Sequence, residues 1–405
     1  MLLTNEYPYA RGDASFLVNE IDALAARFDD VVVFNYPSPG STTTTDLPPG
    51  VRFGGTLKGP PRWRPLFALL RPDVMLRTLR TLELERRAGR LKGRLKAEGI
   101  AALAGVKRSR DASLRHALGE PGWRVTVYAF WAAGAGIAVP YIGRVRGRVA
   151  LRLHGYDLYD ERAGRLPLRA SLFRRADVVL PISHHGYDYL RSRFPSELAA
   201  DKLVLSRLGT ADHGIARRTE EGPVTLLSCS SVSEVKRVEL VHRAAVALSR
   251  RRPVRWVHLG GGPQLDALRE AVDTTPAPGL SVELRGQATH QEVLHVLGTE
   301  PIDVFVNASS SEGVPVSIME ALSFDVPVVA TDAGGSGELV GEEMKTGRLV
   351  PVDSDAETIA SAVQDVLEHR EDLTPRLVWA LHCDARTNAA RLVDLLLPPT
   401  EESHV

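Results

Sequence analysis

The chain has 405 residues, 44% of them hydrophobic and 25% charged, which is too long for one ordinary core and suits two soluble domains of roughly 200 residues each. Its 50 Lys and Arg balance 50 Asp and Glu, and no nucleic-acid partner is expected. The two cysteines, Cys229 and Cys383, exclude a disulfide framework and suit a reducing cytoplasm.

The opening residues, MLLTNEYPY, lack the basic-then-apolar order of a secretory leader, and no run of about 18 apolar residues follows, so a cytoplasmic location is expected. Along the chain, short β-branched runs alternate with helical patterns. VVVFNY (31–36), VTVYAFW (125–131), RVALRLHG (148–155), DVVLPIS (177–183) and KLVLSRLG (202–209) read as buried parallel strands. SFLVNEIDALAARF (15–28) spaces its apolar residues by three and four and reads as one helix. Residues 66–118 read as mainly helical, with Gly89, Gly93, Gly99 and Gly105 weakening the pattern. From Lys58 to Arg115, 16 Lys and Arg stand against 5 Asp and Glu. That excess fits an anionic partner such as lipid headgroups or phosphates, and fits a solvated helical face equally well.

Residues 210–222, TADHGIARRTEEG, are polar and aperiodic and read as an interdomain linker. A second alternating series follows: strands VTLLSCSS (224–231), VRWVHLGG (254–261), SVELRG (281–286), IDVFVNAS (302–309) and VPVVATD (326–332), with helices at 236–250, 263–273, 289–298 and 315–324. A last helical stretch covers 374–397. This alternation predicts an α/β chain with a doubly wound, Rossmann-like sheet in each half, and ligands at the carboxyl ends of the strands.

Every motif of interest falls at such a strand end. In SSSEGVPVSIMEAL (309–322), Pro315 suits the first position of a helix whose free N–H groups form an anion site. Glu312 stands beside that site. Glu320 lies inside the helix among apolar residues, where a carboxylate needs partners. Vicinal ribose hydroxyls would serve Glu320, and a sugar beyond the phosphate would serve Glu312; arginines at the core edge would satisfy both carboxylates as well. In SSVSEVKR (230–237), Lys236 fits a pyrophosphate as a point charge with Arg237 assisting, because cations on a helix's first turn oppose its dipole. HLGGGPQLDAL (258–268) resembles a dinucleotide-binding turn with Glu283 as ribose acceptor, but the third glycine of that fingerprint is missing. YARGDAS (9–15) is a single-glycine turn at Gly12, and LRLHGYD (151–157) places His154 at a strand end. His184 and His185 lack the cysteine or carboxylate companions of a zinc site.

Taken together, these motifs resemble the retaining glycosyltransferases of family 4. Glu312 and Glu320 in SEGVPVSIMEAL, followed by DVPVVATDAGGSGELV (325–340), are similar to that family's E-x7-E signature. SSVSEVKRVEL, WVHLGGGPQLDAL, VELRGQATHQEV, ISHHGYDYL and NEYPYARGDASFLVNEIDAL extend the resemblance, which is strongest over 224–352 and weakest over 37–124. It implies the GT-B fold, two Rossmann-like domains facing across a cleft. Residues 1–212 would present the acceptor, with 391–405 packing back on them, and 213–390 would hold the nucleotide-sugar donor. Glu320 would bind the ribose, Glu312 the donor hexose and Lys236 the pyrophosphate, the last aided by the backbone of Gly313, Val314, Pro315, Val316 and Ser317. Gly286 and Gln287 would meet the base, and Gly12 and His154 would approach the donor from the first domain. Two positions depart from the family: Ser231 stands where an arginine is common, five residues before the lysine, and the Gly12 loop has one glycine where many members have two.

The resemblance therefore implies transfer of a sugar, with retention, from a UDP- or GDP-linked donor to a hydroxyl of a glycan, lipid-linked or small-molecule acceptor, in bacterial glycan, glycolipid or glycosylated-metabolite biosynthesis. Glu312, Lys236 and His154 would form the catalytic set, with no metal or other cofactor. The basic 58–115 segment suits peripheral contact with an anionic inner-membrane face. Two other readings stand beside this one: an NAD(P)-dependent oxidoreductase, from the GGGP turn and Glu283, and a non-catalytic nucleotide-sugar-binding subunit, from Ser231.

Overall fold

Aliphatic runs that are apolar at both parities must be covered on both faces, and here they pair in parallel with helices on either side. The computed structural model describes residues 1–9, 12–41, 43–58, 71–119, 122–161, 166–218 and 221–398. The chain forms two compact units, one from Met1–Arg207 together with the chain from Arg386, the other from Leu208–Ala385.

In the first unit, β1 (Leu2–Thr4), β2 (Val31–Asn35), β3 (Val51–Thr56), β4 (Val127–Ala129), β5 (Val149–Leu153) and β6 (Val178–Pro181) form one parallel sheet in the order β3-β2-β1-β4-β5-β6. Alternate residues enter opposite cores. Leu3, Val32, Phe34, Val127 and Leu151 enter one; Leu2, Val31, Val33, Tyr128 and Ala150 enter the other. The second core also takes Leu392, Val393 and Leu396 from the helix Ala385–Leu396. Arg148 ties that helix down by donating to Leu395 O at 2.6 Å. Residues 399–405 of the expected 391–405 segment lie outside the described residues.

In the second unit, β7 (Val224–Cys229), β8 (Val254–Leu259), β9 (Leu280–Leu284), β10 (Val304–Asn307), β11 (Val328–Thr331) and β12 (Gly347–Val350) run in the order β12-β11-β10-β7-β8-β9. The helices Val238–Ser249, Leu265–Thr274, His290–Thr299 and Val316–Ser323 lie within two residues of their expected bounds. Both sheets have the Rossmann strand order. It reverses between β1 and β4 in one and between β7 and β10 in the other, and at such a point the crossovers leave in opposite directions and open a crevice at the strands' carboxyl ends.

Several expectations need correction. KLVLSRLG is not a strand: Leu203 makes an isolated bridge to Val179, and Ser206 N–H donates to Pro181 O at 2.9 Å. Residues 15–28 split into the helices Ala14–Leu17 and Ile21–Arg27. The strands β3 and β12 were not anticipated, because Gly54, Gly55 and Gly347 interrupt their apolar pattern. Gly54 is there for space: a Cβ would stand 2.5 Å from the Phe34 ring. In the helical region, Pro72–Arg87, Leu95–Ser109 and Ala112–Gly119 are separate helices, and 59–70 lie outside the described residues. The polar stretch 210–222 belongs to the second unit instead of forming a free linker: Thr210 N–H donates to Cys383 O at 2.9 Å, Ala216 N–H to Phe324 O at 2.9 Å, and Arg376 to Gly214 O at 2.8 Å. Among the described residues no helix is long and apolar enough to cross a membrane.

Candidate functional site

The reversal between β7 and β10 brings two loops together, each leaving the carboxyl end of its strand. The loop after β7 carries Lys236 and the loop after β10 carries Glu312. Lys236 Nζ lies 2.6 Å from Glu312 Oε1, and Asn307 Nδ2, at the end of β10, donates to the same oxygen at 3.3 Å. Glu312 is buried, at 6% exposure, so the ion pair and the amide compensate a carboxylate largely removed from water. A turn after β11 supports the loop from behind. Gly334 has a φ of 57°, and a Cβ there would stand 2.9 Å from the Glu312 carbonyl carbon and closer still to its oxygen. Gly335 N–H donates to Gly313 O at 2.8 Å.

Arg237 follows Lys236 in sequence but points elsewhere. With a φ of 47°, its guanidinium donates to Ala308 O and Val352 O, each at 2.7 Å, and to Ser309 O at 3.3 Å. Those donors clamp the loop after β10. Ser231 is exposed, with its hydroxyl 3.3 Å from that of Ser233.

Glu320, at 5% exposure on the helix Val316–Ser323, is paired with a histidine. His290 Nε2 lies 2.7 Å from Glu320 Oε1, and the hydrogen bond to that carboxylate raises the His290 pKa above its usual value. His290 was missed in the sequence. Only the helix start around it was legible there, with Thr289 and Glu292 capping each other; the pairing across 30 residues was not. Cys229, at the end of β7, has its thiol pushed up to about 12, first by burial and then by the Glu320 charge. Pro315 takes the capping position, so the helix begins one residue later than expected, at Val316. The N–H groups of its first turn have no carbonyl four residues back, the ordinary condition of a helix start and the basis of anion binding there.

The glycines of HLGGGPQL serve packing. Gly260 and Gly262 have φ of 150° and 154°, and side chains there would meet the Ser230 carbonyl carbon and Val232 N at 2.7 Å. The loop after β8 thus passes directly against the loop that carries Lys236, with Val232 N–H donating to Gly261 O at 2.8 Å. Glu283 is engaged by Arg255 at 2.6 Å and Arg285 at 2.8 Å. Both features behind the oxidoreductase reading are therefore accounted for by packing and ion pairs. Gly286, with a φ of 71°, accepts from Gly260 N–H at 2.8 Å and has open space around its α-carbon, next to Gln287.

In the first unit, Gly12 has a φ of 59° and lets Asp13 turn inward. The Asp13 carboxylate accepts from the N–H groups of Asn5 (2.8 Å), Glu6 (3.0 Å) and Tyr7 (2.7 Å) and from Trp131 Nε1 (3.1 Å). It joins the loops after β1 and β4 at that unit's own reversal point. His154, at the end of β5, is 4% exposed and lies between the rings of Phe130 (4.6 Å) and Trp131 (4.2 Å). Burial, and then the Arg152 charge, hold its pKa well below 6.5, so the imidazole is neutral at pH 7. Neither ring nitrogen has a hydrogen-bond partner among the described residues. Asp157 accepts from His154 N–H at 2.7 Å and Ala132 N–H at 2.8 Å, and burial pushes its pKa up to about 6. Among the described residues no three His, Cys, Asp or Glu side chains are grouped as metal ligands would be.

Residues 223–369 match the family model described as Glycosyl transferases group 1. WcaL of Escherichia coli (strain K12), by its name a candidate colanic acid biosynthesis glycosyltransferase, is 32% identical over 54% of this chain and 55% of its own length. WcaL of Salmonella typhimurium is 30% identical, over 55% and 56% respectively. The chain thus spans about half the length of these curated relatives. A GDP-mannose-dependent alpha-(1-6)-phosphatidylinositol monomannoside mannosyltransferase of Mycolicibacterium smegmatis is 28% identical over 62% of this chain and 70% of its own. Among solved structures, Anabaena Alr3699/HepE in complex with UDP and glucose superposes with a TM-score of 0.63 over 98% of both chains at 15% identity. That likeness shows the fold, which is GT-B.

Proposed function

We propose that this chain is a retaining glycosyltransferase that uses a nucleoside-diphosphate sugar. The observation that carries the reading is the Lys236–Glu312 pair, 2.6 Å apart at the β7/β10 reversal beside a helix start. An ion pair so placed is a charge reserve for a ligand with both a phosphate and a sugar. When the donor binds, Lys236 turns to the diphosphate and Glu312 to the sugar. The bond from the anomeric carbon to the β-phosphate oxygen breaks, and negative charge grows on the leaving diphosphate. Lys236 and the N–H groups of the first turn after Pro315 stand ready to stabilise it, a preorganised electrostatic contribution of the kind that dominates many active sites. The acceptor hydroxyl attacks the same face and gives its proton to the departing oxygen. Glu320 holds the ribose hydroxyls, and Gly286 and Gln287 border the base.

The names of the relatives support a role in bacterial polysaccharide or glycolipid assembly. A membrane-borne acceptor is further supported by the helix Pro72–Arg87, where Met75 and Leu76, between the exposed Arg71 and Arg77, are 44% and 48% exposed and Leu79, between Arg77 and the exposed Arg80, is 55% exposed. Apolar side chains between cations suit an anionic membrane surface. Sedimentation with anionic vesicles at low salt, lost at high salt, is the expected behaviour.

The decisive experiment separates the two glutamates. Glu312→Ala should lower turnover by about 10²-fold or more while changing nucleoside-diphosphate affinity little, because its partner is the reacting sugar. Glu320→Ala should mainly weaken affinity. Equal loss of nucleotide affinity in both variants contradicts this division of roles. In the wild type, UDP or GDP at 100 times its dissociation constant should stabilise the fold by about 2.7 kcal/mol.

A further inference from the structure

We propose that His290 is the positioning residue of the donor site, holding the Glu320 carboxylate toward the ribose and joining it to the loop that borders the base. The inference rests on the donor-site reading above and goes beyond it to a residue outside the E-x7-E motif. A carboxylate at 5% exposure inside an apolar helix needs a fixed donor, and His290 Nε2 at 2.7 Å supplies it on Oε1. The remaining lone pairs of Glu320 stay available to the two ribose hydroxyls. His290 is well placed for this. It opens the helix His290–Thr299, fixed in place by the reciprocal capping of Thr289 and Glu292, with Thr289 N–H to Glu292 Oε2 at 2.6 Å. Gly286 and Gln287 stand four and three residues earlier in the same loop. A shift of the base-side loop therefore moves the donor that orients the ribose carboxylate.

Protonation gives the arrangement a direction. His290 titrates above 6.5 because Glu320 stabilises its charged form. The helix start it opens opposes that charge, so the carboxylate is what sustains it. Cys229 on β7 also feels the Glu320 charge, and its raised pKa keeps it a neutral thiol, while Lys236 acts on that same thiol in the opposite sense. As pH rises through the His290 pKa, the imidazolium is lost and Glu320 becomes an uncompensated anion facing an anionic ligand. The neutral ring can still donate from Nε2, so orientation is kept while the positive charge is lost, and nucleoside-diphosphate affinity falls with rising pH.

The test is calorimetric titration with UDP and GDP from pH 5.5 to 8.5, on wild type, His290→Gln and His290→Ala, each with its melting temperature. The ratio of wild-type to His290→Gln affinity at each pH cancels the titration of the phosphate itself. That ratio should decline by about fivefold across the range, a change of the size expected for loss of one nearby charge. His290→Gln keeps a donor and should bind more tightly than His290→Ala at every pH. A flat ratio, or wild-type affinity in both variants with only the melting temperature lowered, overturns the inference and leaves the donor site standing. Absence of binding by any nucleoside diphosphate to the wild type overturns both.

Discussion

Replacing Gly334 with alanine should at once cost the second unit stability and displace the loop that carries Glu312. At a φ of 57° an L-residue lies in the left-handed region, which costs about 1–2 kcal/mol. The added Cβ would stand 2.9 Å from the Glu312 carbonyl carbon, where carbon atoms normally rest about 3.5–4.0 Å apart, so at least one backbone segment must yield by roughly half an ångström or more. Overpacking of that kind adds about 1–3 kcal/mol, for a total of about 2–5 kcal/mol. In a unit of this size each kcal/mol moves the midpoint by about 2–4 °C, so a fall of about 4–20 °C is expected by circular dichroism. Because the yielding segment is Glu312 itself, turnover should fall further than stability alone explains, by about 10²-fold for a misplacement near 1 Å. Gly341→Ala is the control, since its Cβ would meet only the flexible Met344 methyl at 3.4 Å. A Gly334→Ala midpoint within about 1 °C of wild type, with turnover unchanged, refutes the reasoning behind the supporting turn.

Lys236→Met leaves Glu312 buried without its cation and should lower unfolding free energy by about 1–3 kcal/mol; adding Glu312→Gln should restore most of it, and a denaturant double-mutant cycle reads the coupling. Arg152→Met removes the partner of Glu20, both buried, and should cost about 3–5 kcal/mol, partly recovered by Glu20→Gln. Asp157 titrates near 6 when folded against 3.8 otherwise, so the folded state binds more protons between those values. Its contribution is therefore greatest at low pH and is lost as pH rises to about 6, a slope that Asp157→Asn should abolish in melting temperatures from pH 4 to 7. The same variant should still lose about 1–3 kcal/mol at pH 7, because an amide cannot accept from both His154 N–H and Ala132 N–H.

Much of this was legible in the sequence because it is local. Apolar runs without parity, such as VTLLSCSS and IDVFVNAS, require cover on both faces and hence parallel strands between helices. Pro315, the glycine cluster after β8 and the spacing of Glu312 and Glu320 likewise act within a few residues of themselves. Where local pattern misled, a long-range fact intervened. KLVLSRLG has a strand's composition but only bridges the edge of β6. The glycines in β3 looked like breakers, yet Gly54 is what the Phe34 ring requires.

The sequence by itself determined the class of each half, two Rossmann-type units, and the strand ends that carry polar and charged residues. It also presented Lys236 as a cation for a pyrophosphate with Arg237 assisting, and Glu320 as a carboxylate awaiting some partner. Only the tertiary structure decided among those possibilities. Strand order set β7 beside β10 and so joined Lys236 to Glu312 across 76 residues, while a left-handed backbone at Arg237 turned its guanidinium to the carbonyls of Ala308, Ser309 and Val352. The approach of the loop after β9 gave Glu320 its histidine. Secondary structure follows from neighbours along the chain, whereas the partner of a buried charge depends on which strands lie side by side, and no spacing of residues encodes that distance.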